Sequence, residues 1–532
     1  MTATIRNPVL PGFHPDPSIV RVGQDYYMAT STFQWWPGVR IHHARDLAYW
    51  EPIGYALTRP SQLDMVGVPD HGGIWAPALS YDASCKLFYL IYTNVQSRPG
   101  YFDDLNYLVT AEDPAGPWSD PVYLNGCGFD PSLFHDTDGR KWYLQMTTDP
   151  RPGRKRFAGI RLQEYDPDRQ CLTGPAKVIF AGTELGYVEG PHLYRRGDWY
   201  YLVTAEGGTS YEHAVTVARS RSIWGPYEVH PDNPMLTSAG DDTLALQKSG
   251  HGSLVETPDG EWWLAHLCAR PLPGAQRCPL GRETALQRVV WGQDGWPRIE
   301  GGGNRPRVAW TLHGVEDVKP AEPLVQRITF PAGPLHDDLN TLRVAPDPSW
   351  LTTGEDDDCL AMVGRSSLES LRHQSLVGRR LQHFRAEATT CLRFEPEEPL
   401  QMAGMLAYYD TQLYHYLYMS RDEERGNHLA VLSSDRGRIT DPTGDWLGVE
   451  GWPAIHLRVE VADGRVRFSA GEDGSHWQAI GGALDLAMLS DENATGLGGF
   501  TGAYIALAVQ DLAGRSRRAV FEYLTYTGWS QG

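Results

Sequence analysis

The sequence predicts an all-β protein of two domains, and three observations support this fold class. A strand–turn–strand pattern recurs five times within residues 1–314, and a different pattern of alternating polar and apolar residues fills residues 327–532. Convincing long amphipathic helical patterns are scarce. The 56 glycines and 38 prolines suit many short strands joined by turns, and a chain of 532 residues is long enough for two or three domains.

The five copies of the first pattern share one order of residue types. Each has a distinctive residue, then a proline or small residue and a short apolar stretch, then a turn with Gly, Asp or Ser, and finally a run rich in Trp, Tyr, Leu and Val. The copies begin at Gly12, Gly73, Gly128, Tyr187 and Ser249. Aligning them superposes Asp16, Trp75, Asp130, Glu189 and His251, at spacings of 59, 55, 59 and 62 residues.

A strand-rich repeat of this length is typical of a β-propeller, in which four-stranded blades surround a central axis. Five copies predict five blades, and each aligned residue would start the innermost strand of its blade. The aligned residues would then meet at one mouth of the channel, which brings Asp16, Asp130 and Glu189 together. An isolated Asp-Pro is usually only a turn. Clustering three carboxylates costs stability, however, so such a cluster indicates a functional requirement. This cluster is the predicted active site.

The second pattern follows a change in composition. Residues 315–326, "VEDVKPAEPLVQ", resemble a linker because proline and charged residues are frequent there. Beyond it, strings such as "IHLRVEVADGRVRFSAGEDG" alternate polar and apolar residues, with hairpin signals at Asp463-Gly464 and Asp473-Gly474. The sequence therefore predicts a β-sandwich over residues 327–532.

Charge and cysteine content narrow the functional classes. The net charge of −19 disfavours a nucleic-acid partner, which would need basic stripes. The start of the chain has no apolar core of signal-peptide length, and no stretch is apolar enough to span a bilayer, so we expect a cytoplasmic protein without a membrane partner. The seven scattered cysteines form no CxxC pair and indicate neither a zinc site nor a disulfide framework. Cys127, three residues before Asp130, lacks a paired base and is interpreted as a small buried hydrophobe.

A family resemblance appears once these motifs are taken together. The strings "NPVLPGFHPDPSI", "GGIWAPAL", "GFDPSLFHD", "YVEGPHLY", "AEGGTSYEHAV", "SGHGSLVET" and "CPLGRETALQRVVW" resemble glycoside hydrolase family 43, most of all its two-domain β-xylosidases. In the second domain, "RRLQHFRAEATT" and "FTGAYIALAVQDLAG" are similar to that subgroup's C-terminal domain. The resemblance implies a five-bladed β-propeller followed by a concanavalin-like β-sandwich. It also implies inverting hydrolysis that releases terminal xylose from xylooligosaccharides, often with activity on α-L-arabinofuranosides.

The resemblance also implies roles for the carboxylates. Inverting hydrolysis needs one carboxylate to deprotonate a water and one protonated acid to protonate the leaving oxygen, on opposite faces of the sugar. Asp16 would be the base and Glu189 the acid, while Asp130 would orient the sugar or Glu189 and raise the pKa of the acid. Arg282, in "GRETALQ", would bind sugar hydroxyls and hold Asp130 ionised, with Arg288 a weaker candidate for the same role.

Further positions would complete the pocket. In some family members a calcium ion or its waters occupy the channel near the position of His251, so we expect His251 to contact substrate or such a structural ion; no cofactor is required for the reaction itself. Flat aromatic faces pack on pyranose rings. The remaining candidates for substrate contact are Trp75, Phe33, Phe129 and Thr209 in the propeller and Phe500 and Tyr504 in the sandwich.

Two departures from the family pattern concern the rim of the pocket. Many relatives carry a tryptophan near the pocket rim where this chain has Thr147 and Thr148, and "FTGAY" replaces an "FTGAF"-like loop. The rim, and with it the preference for chain length and leaving group, therefore stays open. Two alternative functions also remain: an α-L-arabinofuranosidase on the same framework, and a non-catalytic sugar-binding propeller. Relatives are often dimers or tetramers, so a homo-oligomer is expected by analogy.

Overall fold

Five antiparallel sheets follow one another along the first 300 residues of the computed structural model, which describes residues 2–97, 102–317, 322–355 and 358–530. After β1 (Thr2–Arg6), blade 1 contains β2 (Ser18–Val22), β3 (Asp25–Thr30), β5 (Gly38–Ala44) and β6 (Glu51–Leu57), with the short β4 (Trp35–Trp36) between β3 and β5; blade 2 contains β7 (Gly73–Asp82), β8 (Leu87–Val95), β9 (Asp104–Ala111) and β10 (Val122–Asn125); blade 3 contains β11 (Ser132–His135), β12 (Lys141–Thr148), β13 (Phe157–Asp166) and β14 (Cys171–Phe180); blade 4 contains β15 (Glu189–Arg196), β16 (Trp199–Glu206), β17 (Ala214–Ser220), β18 (Glu228–Val229) and β19 (Leu236–Thr237); blade 5 contains β20 (Gln247–Glu256), β21 (Trp262–Ala269), β22 (Glu283–Trp291) and β23 (Pro297–Ile299); β24 (Ala309–His313) follows.

Each blade begins with a hairpin whose turn the sequence specifies. The turn between the first two strands contains a glycine with positive φ in four blades, for example Gly23 (64°) and Gly197 (59°). In blade 2 Lys86 takes the left-handed conformation instead, at φ 55°. The second strands are rich in aromatic and β-branched residues that pack between neighbouring blades.

The five sheets form a closed ring. The inner strands β2, β7, β11, β15 and β20 each contact the next, and β20 contacts β2. At the seam, β1 pairs with β24, and Leu10 exchanges backbone hydrogen bonds with Thr284. The backbone N–H of His14 then donates to the carbonyl of Arg282 at 3.0 Å. The predicted five-bladed propeller is therefore confirmed.

The second domain is a sandwich of two sheets. Its strands are β25 (Leu324–Ile328), β26 (Leu339–Leu342), β27 (Leu351–Glu355), β28 (Cys359–Val363), β29 (Ser375–Arg380), β30 (Arg385–Phe394), β31 (Gln401–Asp410), β32 (Leu413–Asp422), β33 (Gly426–Asp435), β34 (Arg438–Thr440), β35 (Leu447–Gly448), β36 (Ile455–Ala462), β37 (Arg465–Gly471), β38 (Gln478–Asp485), β39 (Tyr504–Asp511), β40 (Arg518–Phe521) and β41 (Leu524–Trp529), with one 3₁₀ turn, Leu486–Met488. One sheet has the order β27-β28-β40-β30-β36-β37-β38, with β41 paired to β30 and β25; the other has the order β34-β33-β32-β31-β39-β29-β26-β4, with β35 on β33.

The two domains share a strand and a hydrophobic core. Strand β4 leaves blade 1 and pairs with β26, so that Trp35 lies opposite Leu342 at the edge of a sandwich sheet. Trp35 is fully buried and stacks on Tyr504, at 3.7 Å between ring centroids. The predicted linker, residues 315–326, overlaps β25, which pairs with β41; residues 318–321 lie outside the described residues.

None of the seven cysteines forms a disulfide. Within the described ranges, no helix has the length and apolar character that crossing a membrane would require.

Candidate active site

In every blade a residue in the left-handed conformation lies within the inner strand or two residues before it, and these residues mark the structural repeat. They are Asp16, Ala76, Asp130, Gly190 and His251, with φ between 36° and 55°. Trp75 and Glu189 therefore lie one residue before the position that the sequence alignment gave them. The inner-strand ladder shifts register around this residue in blades 2, 4 and 5 alike, so the offset of Trp75 and Glu189 comes from the sequence alignment and not from an extra bulge in their blades. The proline that follows the left-handed residue in four of the five copies marks the correct register.

A cavity of about 380 Å³ opens at this end of the channel, and both domains line it. Ten of the eleven predicted site residues lie in its wall: Asp16, Phe33, Trp75, Phe129, Asp130, Glu189, Thr209, His251, Arg282 and Phe500. Sequence reasoning missed others in the wall, including Phe157, Tyr187, Lys248, Asp491, Glu492 and Leu497. The three carboxylates are at most 9 % exposed, so the structure gathers the predicted cluster in a largely buried site.

Asp16 is held by two side chains. Arg282 Nη1 donates to Asp16 Oδ1 at 3.0 Å, and Ser31 Oγ donates to Asp16 Oδ2 at 2.6 Å. Arg282 Nη1 also lies 3.1 Å from Thr209 Oγ1. Arg282 was expected to hold Asp130 ionised, but its ion pair is with Asp16, because closure of the ring brings the strand of Arg282 against the N-terminal segment that carries Asp16. The charge of Arg282 lowers the pKa of Asp130, but burial and the neighbouring carboxylates outweigh it. The contacts fix the orientation of the Asp16 carboxylate in the cavity.

Glu189 and Asp130 share an environment that favours protonation. Burial raises the pKa of Glu189 to about 8, the negative charge of Asp16 adds to the rise, and Arg282 partly opposes it. Burial also raises the pKa of Asp130 well above its usual range, with further increases from Glu189 and Asp16. Asp130 Oδ2 accepts the backbone N–H of Gly190 at 3.0 Å, which positions it beside the acid. The neighbouring charge that raises the pKa of Glu189 is thus that of Asp16, whereas Asp130 was expected to supply it.

His251 stands between two of the carboxylates. Its Nδ1 is 3.8 Å from Asp16 Oδ1 and 3.9 Å from Asp130 Oδ2. Burial lowers its pKa, so the ring is neutral at physiological pH. Its atoms would lie about 3 Å from a Cβ on Gly190, so a side chain at this position would require the His251 ring to shift by a few tenths of an ångström.

The described side chains offer little to a calcium ion. Calcium prefers six to eight oxygen ligands. Within those parts of the chain, no group of three or more His, Cys, Asp or Glu residues is arranged to hold a metal. The predicted structural ion near His251 therefore has no protein cage there, and it stays a prediction.

Aromatic rings form the walls. Trp75 lies at the centre, with ring centroids 5.8 Å from Phe33, 5.4 Å from Phe129 and 5.5 Å from Phe500. Trp75 Nε1 donates to the carbonyl of His71 at 2.8 Å, which fixes the plane of the ring. This arrangement suits the apolar faces of a pyranose.

The rim has its own aromatic pair. The ring centroid of Phe157 is 5.8 Å from that of Phe129 and 5.2 Å from that of Tyr187. The side chain of Tyr187 is 59 % exposed. Phe157 is opposite Thr148 in the β12–β13 ladder. The aromatic character expected at the rim therefore comes from the neighbouring strand, while Thr147 and Thr148 are not among the lining residues.

The sandwich loop that carries Phe500 is tied to the propeller through its backbone. The carbonyl of Phe500 accepts hydrogen bonds from Arg282 Nε at 3.1 Å and Nη2 at 3.0 Å. Its N–H donates to His71 Nδ1 at 3.4 Å, and His71 Nε2 lies 3.0 Å from Asp410 Oδ2. A chain of polar contacts thus runs from Asp410 of the sandwich through His71, Phe500 and Arg282 to Asp16. No sequence motif pointed to His71 or Asp410.

A second polar link closes the far wall. Lys248, at the start of β20, bonds Asp491 Oδ2 at 3.0 Å and Glu492 Oε1 at 2.7 Å, and both acids belong to the sandwich. Tyr409 Oη donates to the other oxygen of Asp491 at 2.8 Å. The buried ammonium is therefore fully paired and anchors the loop that precedes Phe500.

Two predicted contacts are absent. Tyr504 is fully buried beneath the cavity, where it stacks on Trp35, so it supports the domain core and does not contact the pocket. Strand β39 begins at Tyr504, and the alternation of the strand turns the ring inward. Arg288 lies further along β22, pairs with Glu261 and Glu300, and does not line the cavity.

Comparisons with known proteins match each of the two domains to a protein family. Residues 5–297 match the family model described as glycosyl hydrolases family 43, and residues 327–527 match one described as a β-xylosidase C-terminal concanavalin A-like domain. A xylosidase/arabinosidase 43B from Humicola insolens is 47 % identical and covers 98 % of this chain and 97 % of its own. A xylan 1,3-β-xylosidase from a Vibrio species is 44 % identical, with 99 % of each chain covered. The crystal structure of a xylan β-1,4-xylosidase from Bacillus halodurans C-125 superposes with a TM-score of 0.94 at 50 % identity, covering 98 % of this chain and 99 % of that one.

Proposed function

The chain belongs to glycosyl hydrolase family 43, and from that premise we propose that it is an exo-acting, inverting β-1,4-xylosidase that releases terminal xylose from xylooligosaccharides. The observation that carries the proposal is that one cavity contains both groups the reaction needs. Asp16 is a carboxylate paired with the guanidinium of Arg282, and Glu189 has a pKa of about 8. Inverting hydrolysis needs one carboxylate base and one protonated acid.

The proposed reaction assigns one proton transfer to each residue. Asp16 takes a proton from a water as the water oxygen attacks the anomeric carbon, while the protonated Glu189 donates to the glycosidic oxygen as its bond to that carbon breaks. The products are xylose of inverted anomeric configuration and a shortened oligosaccharide. The acid and base then return to their starting protonation states by exchange with solvent. Asp130, beside Gly190, would orient the sugar or the acid.

The sandwich gives a physical reason for exo action. Phe500 and the residues of the Asp491–Glu492 segment close one side of the cavity, and Lys248 and Arg282 hold that wall against the propeller. A pocket closed on one side accepts the end of a chain, so xylose would leave one unit at a time. Early products from xylohexaose test this: xylose and xylopentaose are expected, and internal cuts would refute the single-ended pocket.

The configuration of the product tests the mechanism. Proton NMR of a β-xyloside digest should show α-xylose first, before mutarotation. Initial release of β-xylose would exclude inversion and the assignment of Asp16 as base.

An α-L-arabinofuranosidase activity is the second candidate. The name of the Humicola insolens relative includes both activities, and that of the Vibrio relative includes a 1,3 linkage. Kinetics on nitrophenyl β-D-xyloside and nitrophenyl α-L-arabinofuranoside would rank the two sugars, and β-1,3- and β-1,4-xylobiose would rank the linkages. A kcat/KM higher on the arabinoside would reverse the order of the two functions.

We also propose a cytoplasmic enzyme that forms dimers or tetramers. The absence of a disulfide among the seven cysteines favours a reducing compartment. Light scattering after size exclusion would give the assembly state, and a single mass near 59.4 kDa would refute the oligomer.

A further inference from the structure

A second cavity, of about 320 Å³, lies between blade 1 and the sandwich and shares no lining residue with the active site. Arg40 and His42 of β5 face it from the propeller, and Arg379 and Arg380 of β29 face it from the sandwich. Asp338 is the one carboxylate among its lining residues. Three arginines and one aspartate give this wall a formal charge of 3 − 1 = +2.

Arg380 is the main source of this imbalance. It is 3 % exposed, its Nε donates to the carbonyl of Phe13 at 2.8 Å, and its Nη1 donates to Asn340 Oδ1 at 2.8 Å. Its Nη2 is buried and makes no well-formed hydrogen bond in the described chain, although Arg380 lies close enough to Tyr55 Oη to lower the pKa of that phenol; no carboxylate there forms an ion pair with Arg380. A buried charge without a counter-charge is strongly unfavourable, and an unsatisfied buried donor adds to the cost.

The neighbouring guanidiniums do not relieve the charge. Arg40 pairs with Asp338 at 2.7 Å and donates to Tyr55 Oη at 3.1 Å, but its Nε has no partner among the described residues. Each of the three guanidinium nitrogens of Arg379 donates to a neutral oxygen. The acceptors are the side-chain oxygens of Gln326 and Gln382 and the backbone carbonyl of Arg380. Among the residues that line the cavity, the one carboxylate, Asp338, is thus paired with Arg40, and Asp337 beside it also acts on Arg40, while Arg379 and Arg380 have no ion-pair partner among the described residues.

Two histidines complete the cluster without adding charge. The rings of His14 and His42 lie 5.1 Å apart, and burial together with the nearby arginines lowers both pKa values well below the usual range. Nδ1 of His42 is another buried atom without a partner in the described chain. Water could satisfy donors in such a cavity, but it would leave the net positive charge uncompensated.

We propose that this cavity binds a small inorganic anion, a halide or an oxyanion such as phosphate, between Arg40 of the propeller and Arg380 of the sandwich. Such an anion would supply the missing counter-charge and accept from the unpaired guanidinium N–H groups. Because Arg40 and Arg380 belong to different domains, the bound anion would join the two domains at a point away from the catalytic cavity. The site would therefore contribute to domain association without contacting the sugar.

Anion-dependent stability of the full chain tests the proposal. Melting temperatures would be measured in chloride, bromide, phosphate and gluconate at constant ionic strength. At 100 times the dissociation constant, a chain of this length should gain about 2 °C. Arg380→Gln should lose the dependence on the small anions, while Arg467→Gln, at an exposed arginine on β37, should keep it. An equal gain in wild type and Arg380→Gln would overturn the proposal, and comparison of halide with phosphate identifies the preferred anion.

A crystallographic measurement makes the test independent of the variant, whose loss of two hydrogen bonds could impair folding. Wild-type crystals soaked in bromide should show an anomalous peak within hydrogen-bond distance of Arg380 Nη2 and Arg40 Nε. Ordered water alone at that position would refute the anion site.

Discussion

Replacing Glu189 with glutamine should make the protein more stable at neutral and alkaline pH while it destroys the proposed acid. In the folded protein the pKa of Glu189 is about 8, compared with 4.5 for an unperturbed glutamate. Between these values the unfolded chain releases the proton and the folded chain keeps it, so stability falls as pH rises from 4.5 toward 8. Each unit of difference is worth about 1.4 kcal/mol, so the loss between about pH 5 and about pH 8 is on the order of 3 kcal/mol. Glutamine keeps the size and polarity of the side chain but cannot ionise.

Urea unfolding of wild type and Glu189→Gln at about pH 5 and about pH 8 measures this difference directly. The two proteins should be similar in the acidic buffer, and the variant should be more stable in the alkaline one. Loss of the Glu189 charge also removes a cause of the raised pKa of Asp130, which acts in the same direction. Glu472→Gln, at an exposed position, controls for the loss of one negative charge. Parallel pH dependence in wild type and Glu189→Gln would refute the raised pKa.

Four further outcomes are expected. Asp16→Ala should lower kcat by about 10²–10⁴ with the fold intact, because water activation is lost, and turnover near that of wild type would remove Asp16 from the mechanism. Glu189→Ala should reduce the rate on xylobiose far more than on a dinitrophenyl xyloside, whose leaving group needs no proton; equal losses would contradict its role as acid. His71→Gln should raise KM and lower kcat together by loosening the Phe500 backbone that bonds Arg282, and unchanged kinetics would show that the contact does not position the wall. Exhaustive chelation should leave kcat unchanged, and a loss that calcium restores would show that an ion is needed.

The fold was predictable because its signals are local and repeated. Each blade carries its own turn and aromatic strand, so five weak patterns supported one another. The register was less predictable because the alignment matched Trp75 and Glu189, which lie one position before the left-handed residue of their blades, to residues that are themselves left-handed. The left-handed conformation that defines the repeat position is not visible in composition, and the proline that follows it in four of the five copies is the sequence signal that marks it.

Contacts between distant segments were beyond the sequence patterns. Arg282 and Asp16 are 266 residues apart, and their pairing depends on the path of the N-terminal segment along β22. Tyr504 has the residue type of a pocket wall, but strand alternation turns it into the core. His71 lies in no motif and becomes important only because the sandwich brings Phe500 and Asp410 to it.

One side chain, that of Arg282, contacts both the propeller seam and the docked sandwich domain. Arg282 follows Gly281, whose positive φ and close approach to the Thr501 carbonyl leave no room for a Cβ. From there the guanidinium donates to Asp16 across the seam and to the Phe500 carbonyl across the domain interface. The orientation of the proposed base and the position of the pocket wall therefore depend on the same group. Because both the propeller seam and the sandwich loop must be in place before Arg282 has all its partners, the cavity is assembled only in the complete two-domain structure, and loss of either contact should disturb both binding and catalysis.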